Sequence, residues 1–417
     1  FSYMIVVLGY LFGYFVIALV LLPLYYRLKL TSIYSYLEQR FGFWSYKTGA
    51  GFFILSRTLG ASLRMFLVIN VLQIFVFDAW NVPFWINVLV FISLIILYTF
   101  KGGIRTIIWT DTLQTTFMLL AVVLSVIYIG KNLQIPVLKL FSIVRESHVS
   151  TMFITDWHNE RFFLKQFFSG MFITIVMTGL DQEMMQKNLS CRNIREAQKN
   201  MFTFSGILVV VNLLFLFLGA LLLIFVQSKG VSVTSSDDIF PTIAIKYLGP
   251  VAGVVFLIGL ISAAFPSADG ALTSLTTSVS IDFLGLDRRE GISEKAKTRI
   301  RYSVHLTIAL VFFISVLIFS TLNDRAVIDK LFTIAGYTYG PLLGLYSFGL
   351  FTRRVVNDKI TPAIAVLSPV GCFFLSKYSA ILFNGYRFGF ELLLVNGLLT
   401  FAGLYLFSKR SGIRNFN

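Results

Sequence analysis

The chain has 417 residues, 57% hydrophobic, 16% aromatic and only 13% charged, and its 35 Lys and Arg against 20 Asp and Glu give a net charge of +15. A soluble domain carries about 25% charged residues, so this chain has too little polar surface to coat soluble domains of its length, and its apolar blocks are long enough to cross a bilayer core of about 30 Å as helices. A β-barrel is excluded because its strands alternate apolar and polar residues; the composition reads as an all-α polytopic membrane protein.

The chain starts at Phe1 and enters an apolar helix at once, without the basic and small-residue pattern of a signal peptide. It reads as a fragment whose start has been lost. Eleven transmembrane helices are predicted, at 3–27, 44–77, 82–100, 104–130, 163–187, 195–228, 249–284, 295–320, 326–351, 360–381 and 387–408. The longest connection, 131–162, contains Pro136 and is expected to carry a partial amphipathic helix at the surface. Cys191 and Cys372 form no disulfide framework, and His148, His158 and His305 show no metal-ligand spacing.

Lys and Arg concentrate on the cytoplasmic side of membrane proteins. With residue 1 outside, the inner segments hold 22 of them and the outer segments nine. The expected orientation is therefore N-terminus outside and C-terminus cytoplasmic. The basic excess is assigned to this bias, and no nucleic-acid partner is implied.

The second and seventh helices, at about 34 and 36 residues, run roughly 50 Å at 1.5 Å per residue. They run in opposite directions and each is followed by two further spans, as in an inverted-repeat transporter; coincidence between two long helices is the alternative.

Ionisable groups at membrane depth cost several kcal/mol unless paired or hydrated, so they mark candidate sites. Arg57 and Arg64 lie seven residues apart, two turns along one face and roughly 10 Å apart, near the middle of the second helix. Neither can shed its charge. The available acids are Asp111, Asp181, Glu183 and Asp269, which either lock the bundle by ion pairs or line a solute or ion pathway. Around Asp269 the chain reads Ile261-Ser262-Ala263-Ala264-Phe265-Pro266-Ser267-Ala268-Asp269-Gly270. Pro266 removes an intrahelical hydrogen bond, and freed carbonyls with the hydroxyls of Ser267, Thr273 and Ser274 would suit an alkali ion; alternatively the hydroxyls bond back to their own helix. Gly336, Gly340 and Pro341 in the ninth helix form either a gating hinge or a close-packing face.

Four segments carry a family resemblance. They are Thr31-Ser32-Ile33-Tyr34-Ser35-Tyr36-Leu37-Glu38-Gln39-Arg40-Phe41-Gly42; Lys101-Gly102-Gly103-Ile104 through Trp109-Thr110-Asp111-Thr112-Leu113-Gln114; Asp181-Gln182 with Gln186 and the stretch ending Glu196-Ala197-Gln198-Lys199; and the helix through Ser280-Ile281-Asp282. In these the chain resembles the sodium/solute symporter family, which includes the sodium–glucose, sodium–proline and sodium–sialic acid carriers. The resemblance implies a single transporter domain over 1–417 with a five-plus-five inverted-repeat fold lacking its first core helix. Residues 1–130 would be the remnant of the first repeat, 163–351 the second repeat, and 360–408 peripheral helices.

The same resemblance implies a function: sodium-coupled symport of a small organic solute by alternating access, with no enzymatic activity and sodium as the one required metal ion. Ala263 and Ser267 would serve a main sodium site, where Pro266 replaces one of the family's hydroxyls. Asp111, with Asp269, would serve a second cation site, and Arg64, seconded by Arg57, would hold a carboxylate or other anionic solute; a sugar is the other solute class. Pro266, Gly336, Gly340 and Pro341 would act as gating positions. The expected location is a bacterial inner membrane. The alternatives are proton coupling through Asp111 or Asp269, a sensor module built on the same bundle, and a membrane-embedded enzyme.

Overall fold

A computed structural model describes residues 1–30, 32–99, 104–233, 235–289, 291–321 and 327–410. Of the motif residues, Thr31, Lys101, Gly102 and Gly103 lie outside this set. In chain order the helices are α1 Tyr3–Leu28, α2 Ser35–Arg40, α3 Phe43–Trp80, α4 Phe84–Thr99, α5 Ile104–Leu133, α6 Val137–Glu146, α7 Phe163–Gly179 and α8 Gln182–Leu189. They continue with α9 Ile194–Lys229, α10 Ile239–Lys246, α11 Pro250–Phe283, α12 Glu294–Ser320, α13 Val327–Phe351, α14 Thr361–Lys377 and α15 Leu392–Leu406. Two residues at β1, Val355–Val356, pair antiparallel with β2, Ser408–Lys409.

Each of the eleven expected spans coincides with a helix, but the expected count is not reached on length and apolarity. Among the described residues seven helices pass that test, or eight with α7 and α8 taken as one bent span. The helices α4 and α15 have 16 and 15 residues, about 24 Å at 1.5 Å per residue, shorter than the hydrocarbon core. The expected continuous helix 163–187 is in fact broken between Gly179 and Gln182 with a bend of 67°. Pro266 lies inside the expected helix 249–284, and Pro250–Ser278 is continuous through it. The connection after α5 carries the expected short amphipathic helix, α6, with Leu140 and Val144 buried and Leu138 and Phe141 exposed.

The long helix α3 is the centre of the bundle, packed by α11, α12 and α13. It begins at Gly42, whose φ of +140° a side chain would strain, and its first amides are capped from far along the chain. Asp358 accepts from the amides of Trp44 at 2.8 Å and Ser45 at 2.7 Å, satisfying donors that the helix cannot. At the other end of the same region Arg40 donates to the carbonyls of Thr352 at 2.7 Å and Arg354 at 3.1 Å, past the last turn of α13, where a cation suits the helix dipole. Pro341 cannot donate to the Tyr337 carbonyl one turn back. Asn396 of α15 donates instead to the carbonyls of Tyr337 at 2.9 Å and Gly336 at 3.0 Å, and a Cβ on Gly340 would overlap the Asn396 side chain. The Gly336–Pro341 segment is thus in close contact with a polar neighbour, which re-satisfies the freed backbone in the way apolar surroundings require.

The helix pair α1 and α7 meets backbone to backbone. A Cβ on Gly9 would collide with the Phe167 carbonyl and the Met171 amide, and one on Gly170 with Val6. Small residues permit such contact and the packing it yields. Gly170→Leu should therefore lower the thermal midpoint in detergent by an amount corresponding to about 1–3 kcal/mol of overpacking or more, whereas Gly206→Leu, where nothing lies within 4 Å, should leave it unchanged.

Candidate functional site

The break between α7 and α8 organises the charged groups. Asp181 stands at the N-terminus of α8 and accepts from the amides of Glu183 at 3.0 Å and Met184 at 3.2 Å. A carboxylate is favoured there by the open amides and the helix dipole. The neighbouring Gln182 accepts from the amide of Ile33 at 2.9 Å, so the Asp181-Gln182 pair both caps a half-helix and ties it to the segment before α2. Tyr34 donates to the Leu180 carbonyl at 2.9 Å and Tyr25 to that of Gly179 at 2.9 Å, holding the carbonyls freed by the break.

Arg57 of α3 reaches this cap. Its guanidinium pairs with Glu183 and lies 3.8 Å from Asp181, and all three side chains are at most 5% exposed. Arg64, on the same face as expected, is half-buried and makes no hydrogen bond or ion pair among the described residues. Both arginines line a narrow cleft of about 10 Å³ with Ser56, Gly60, Met177 and Tyr339. Tyr339 of α13 lies 3.5 Å from Asp181. The Arg64–Asp269 ion pair that the sequence allows is not formed among the described contacts.

A second group extends along α8 from Glu183. Lys187 Nζ is 3.4 Å from Glu183 Oε1 and 3.5 Å from Asp111 Oδ2. Asp269 is fully buried, with Oδ1 accepting from the Gly270 amide at 2.5 Å and Oδ2 without a partner. Asp111, Lys187 and Glu183 are all within electrostatic reach of it, and Glu183 presses so closely on Gly270 that no Cβ would fit there. The sequence motifs named Asp111, Asp181 and Glu183 but not Lys187, whose only sequence signal is its i,i+4 spacing from Glu183.

The expected main sodium ligands occupy one face of α11. Ala263 is exposed and Ser267, one turn on, is half-buried, with Pro266 between them also half-buried. The nearby hydroxyls of Thr273 and Ser274 bond to their own helix, at Asp269 O (2.9 Å) and Ala271 O (3.1 Å). Among the described residues no group of three or more His, Cys, Asp or Glu has a metal-holding arrangement. His305, set aside as a proton relay, has both ring nitrogens 3.1 Å from hydroxyls, those of Thr99 and Thr276.

At the end of the bundle that carries α2, Asp282 accepts from Tyr46 at 2.8 Å and Ser278 at 2.6 Å. Beside it Arg288 makes a bidentate pair with Glu38, at 2.9 and 2.6 Å, joining α2 to the loop after α11. Arg288 holds the Glu38 carboxyl below its ordinary value of 4.5. A lowered carboxylate value stabilises above the ordinary value and is lost as pH falls through the lowered one. The melting difference between wild type and Glu38→Gln should therefore be present at pH 7 and shrink only below pH 4.5; a difference that grows on acidification would contradict the pairing.

The profile of the sodium:solute symporter family matches residues 1–359. The sodium/sialic acid symporter NanT of Aliivibrio fischeri is 25% identical over 363 residues, 84% of this chain and 69% of that protein. The sodium/sialic acid symporter SiaT of Proteus mirabilis is 24% identical over 362 residues, 83% of this chain and 71% of that one. The human sodium/iodide cotransporter is 24% identical over 369 residues, 82% of this chain and 54% of that one. A solved structure described as the substrate-bound outward-open state of a Na+-coupled sialic acid symporter superposes with a TM-score of 0.80 at 19% identity, covering 98% of this chain and 85% of the other. The likeness shows a shared transporter fold.

Proposed function

The chain belongs to the sodium:solute symporter family, and from that premise we propose that it moves a small organic carboxylate across a membrane together with sodium by alternating access. The observation that carries the choice of solute is Arg64, a permanent cation near the middle of α3 that lines a cleft and has no acid in contact among the described residues. A guanidinium at that depth needs an anion or water, and its fork matches a carboxylate with two parallel hydrogen bonds. Two of the relatives are named for sialic acid, itself a carboxylate, which supports that solute class.

Sodium takes the Ala263 carbonyl and Ser267 hydroxyl at one site and Asp111 with Asp269 at another. Sodium binding favours the state that receives solute, and by linkage solute raises sodium affinity by the same factor. The cleft has room for only about 10 Å³, far below the roughly 300–1,000 Å³ of small-molecule pockets, so α3 and α13 must part for binding. Gly336, Gly340, Pro341 and Pro266 are the backbone positions proposed to accommodate that movement.

The two halves proposed for the fold are 1–130 and 163–351, with 360–408 peripheral. The matching lengths of the long helices α3 and α11, 38 and 34 residues, support this. The bias of Lys and Arg supports an N-terminus outside and a cytoplasmic C-terminus, with the Glu38–Arg288 pair on the cytoplasmic face of a bacterial inner membrane.

Uptake of labelled carboxylates into vesicles of a strain expressing the protein tests the reading. Solute accumulation should collapse when sodium is replaced by choline; equal uptake in choline would show that sodium is not the driving ion. Ser267→Ala should raise the sodium needed for half-maximal uptake several-fold, and an unchanged requirement would remove Ser267 from the site.

A further inference from the structure

The surroundings of Lys187 carry an inference that rests on the sodium-coupled reading and deepens it. The ammonium takes Asp111 Oδ2 at 3.5 Å and Glu183 Oε1 at 3.4 Å, and Asp111 Oδ1 is left buried with no hydrogen-bond partner. Two further oxygens are in the same condition. They are Gln114 Oε1, one turn along α5 from Asp111, and Oδ2 of the fully buried Asp269 on α11. The helices α5 and α11 pack against each other. Buried acceptors without donors are costly, and oxygens of this kind are what an alkali ion requires. One cation already present competes for part of this set, and it is tethered.

We propose that Lys187 is an internal competitor for the coupling cation: its ammonium holds Asp111 until a sodium ion displaces it, and the lysine then stays on Glu183. Lys187 thereby sets the sodium concentration at which the site fills, without touching the solute. The geometry suits such an exchange. The side chain is 41% exposed, so the released ammonium regains water at little cost, and its four-carbon stem is flexible. Its tether gives it a high effective concentration at Asp111, against which free sodium must compete. Glu183 keeps Arg57 as a partner whichever way Lys187 turns, so loss of the lysine leaves no isolated charge at Glu183.

The test is a sodium titration of the thermal midpoint of the purified full chain, with choline chloride holding ionic strength constant. Lys187→Met should lower the half-saturating sodium concentration about tenfold or more, because the competitor is gone. Lys187→Arg should stay near wild type, and adding Asp111→Asn to Lys187→Met should cancel the gain. A half-saturating concentration that is unchanged or higher in Lys187→Met overturns the proposal, since a lysine that merely positions Asp111 would weaken sodium binding on removal. Failure of the sodium reading looks different: wild type and every variant would then show no sodium response, which overturns both. Should Lys187→Met not fold, Lys187→Gln gives the same comparison with a neutral side chain that can still donate to Glu183.

Discussion

Alanine at Arg64 should abolish binding of carboxylate solutes while leaving the protein folded. Arg64 makes no ion pair among the described residues and shares its cleft with a second arginine, Arg57, so its removal breaks no internal hydrogen bond or ion pair among them and relieves a like-charge repulsion. What is lost is the charge-assisted fork for an anion. Hydrogen bonds to charged groups contribute about 1.5–3 kcal/mol each, and two of them amount to roughly 3–6 kcal/mol, a loss of about two to four orders of magnitude in affinity. Arg64→Lys keeps the charge but not the planar fork and should fall between the two. Binding of a labelled carboxylate, compared with its neutral amide, is the measurement. The amide should bind wild type and Arg64→Ala alike. Full retention of carboxylate affinity by Arg64→Ala would remove the anion reading, and an equal loss of both solutes would assign Arg64 to the shape of the cleft.

The long helices were legible in the sequence because an unbroken apolar stretch leaves the backbone few options in a bilayer. Phe43–Trp80 and Pro250–Phe283 lie within a few residues of the expected 44–77 and 249–284. The 67° break at Gly179–Gln182 was not legible. The expected helix 163–187 spans it although polarity rises at Asp181-Gln182-Glu183, and the carbonyls at the break are held by tertiary contacts: Tyr25 and Tyr34, far away in sequence, take those of Gly179 and Leu180. Pro341 lies inside the expected helix 326–351, which is continuous, but its tertiary partner was not legible: the carbonyl it frees meets Asn396 of a helix over fifty residues on. Charges show the same limit. Arg57 and Arg64 were equivalent by spacing and depth, and the cap at Asp181 decides which of them is paired. Lys187 lay hidden in a basic stretch read as cytoplasmic-face charge; its contact with Asp111 spans 76 positions of sequence.

Arg57, two turns from Arg64, should behave in the opposite way, and alanine there should cost the fold. Its guanidinium faces Glu183 and Asp181, which are 5% and 0% exposed. Removing one partner of a buried pair leaves the other charges uncompensated, typically at 3–5 kcal/mol. Glu183 would still have Lys187 at 3.4 Å, but among the described residues Asp181 would keep only the two α8 amides and the Tyr339 hydroxyl at 3.5 Å. The burden therefore falls on Asp181, and it follows that neutralising Asp181 should rescue what neutralising Glu183 does not. The double variant Arg57→Met with Asp181→Asn should recover much of the melting midpoint lost in Arg57→Met, because asparagine still accepts from the cap amides without carrying charge. Arg57→Met with Glu183→Gln should recover less, since Lys187 then loses a partner as well. Melting midpoints of six proteins in one detergent, wild type, the three single variants and the two doubles, form the two cycles. Greater rescue by Glu183→Gln than by Asp181→Asn would show that Glu183, not the cap, is the acid that Arg57 chiefly neutralises. A normal midpoint for Arg57→Met alone would mean that the pair contributes nothing to stability, and would return Arg57 to the solute site as a second anion-binding arginine.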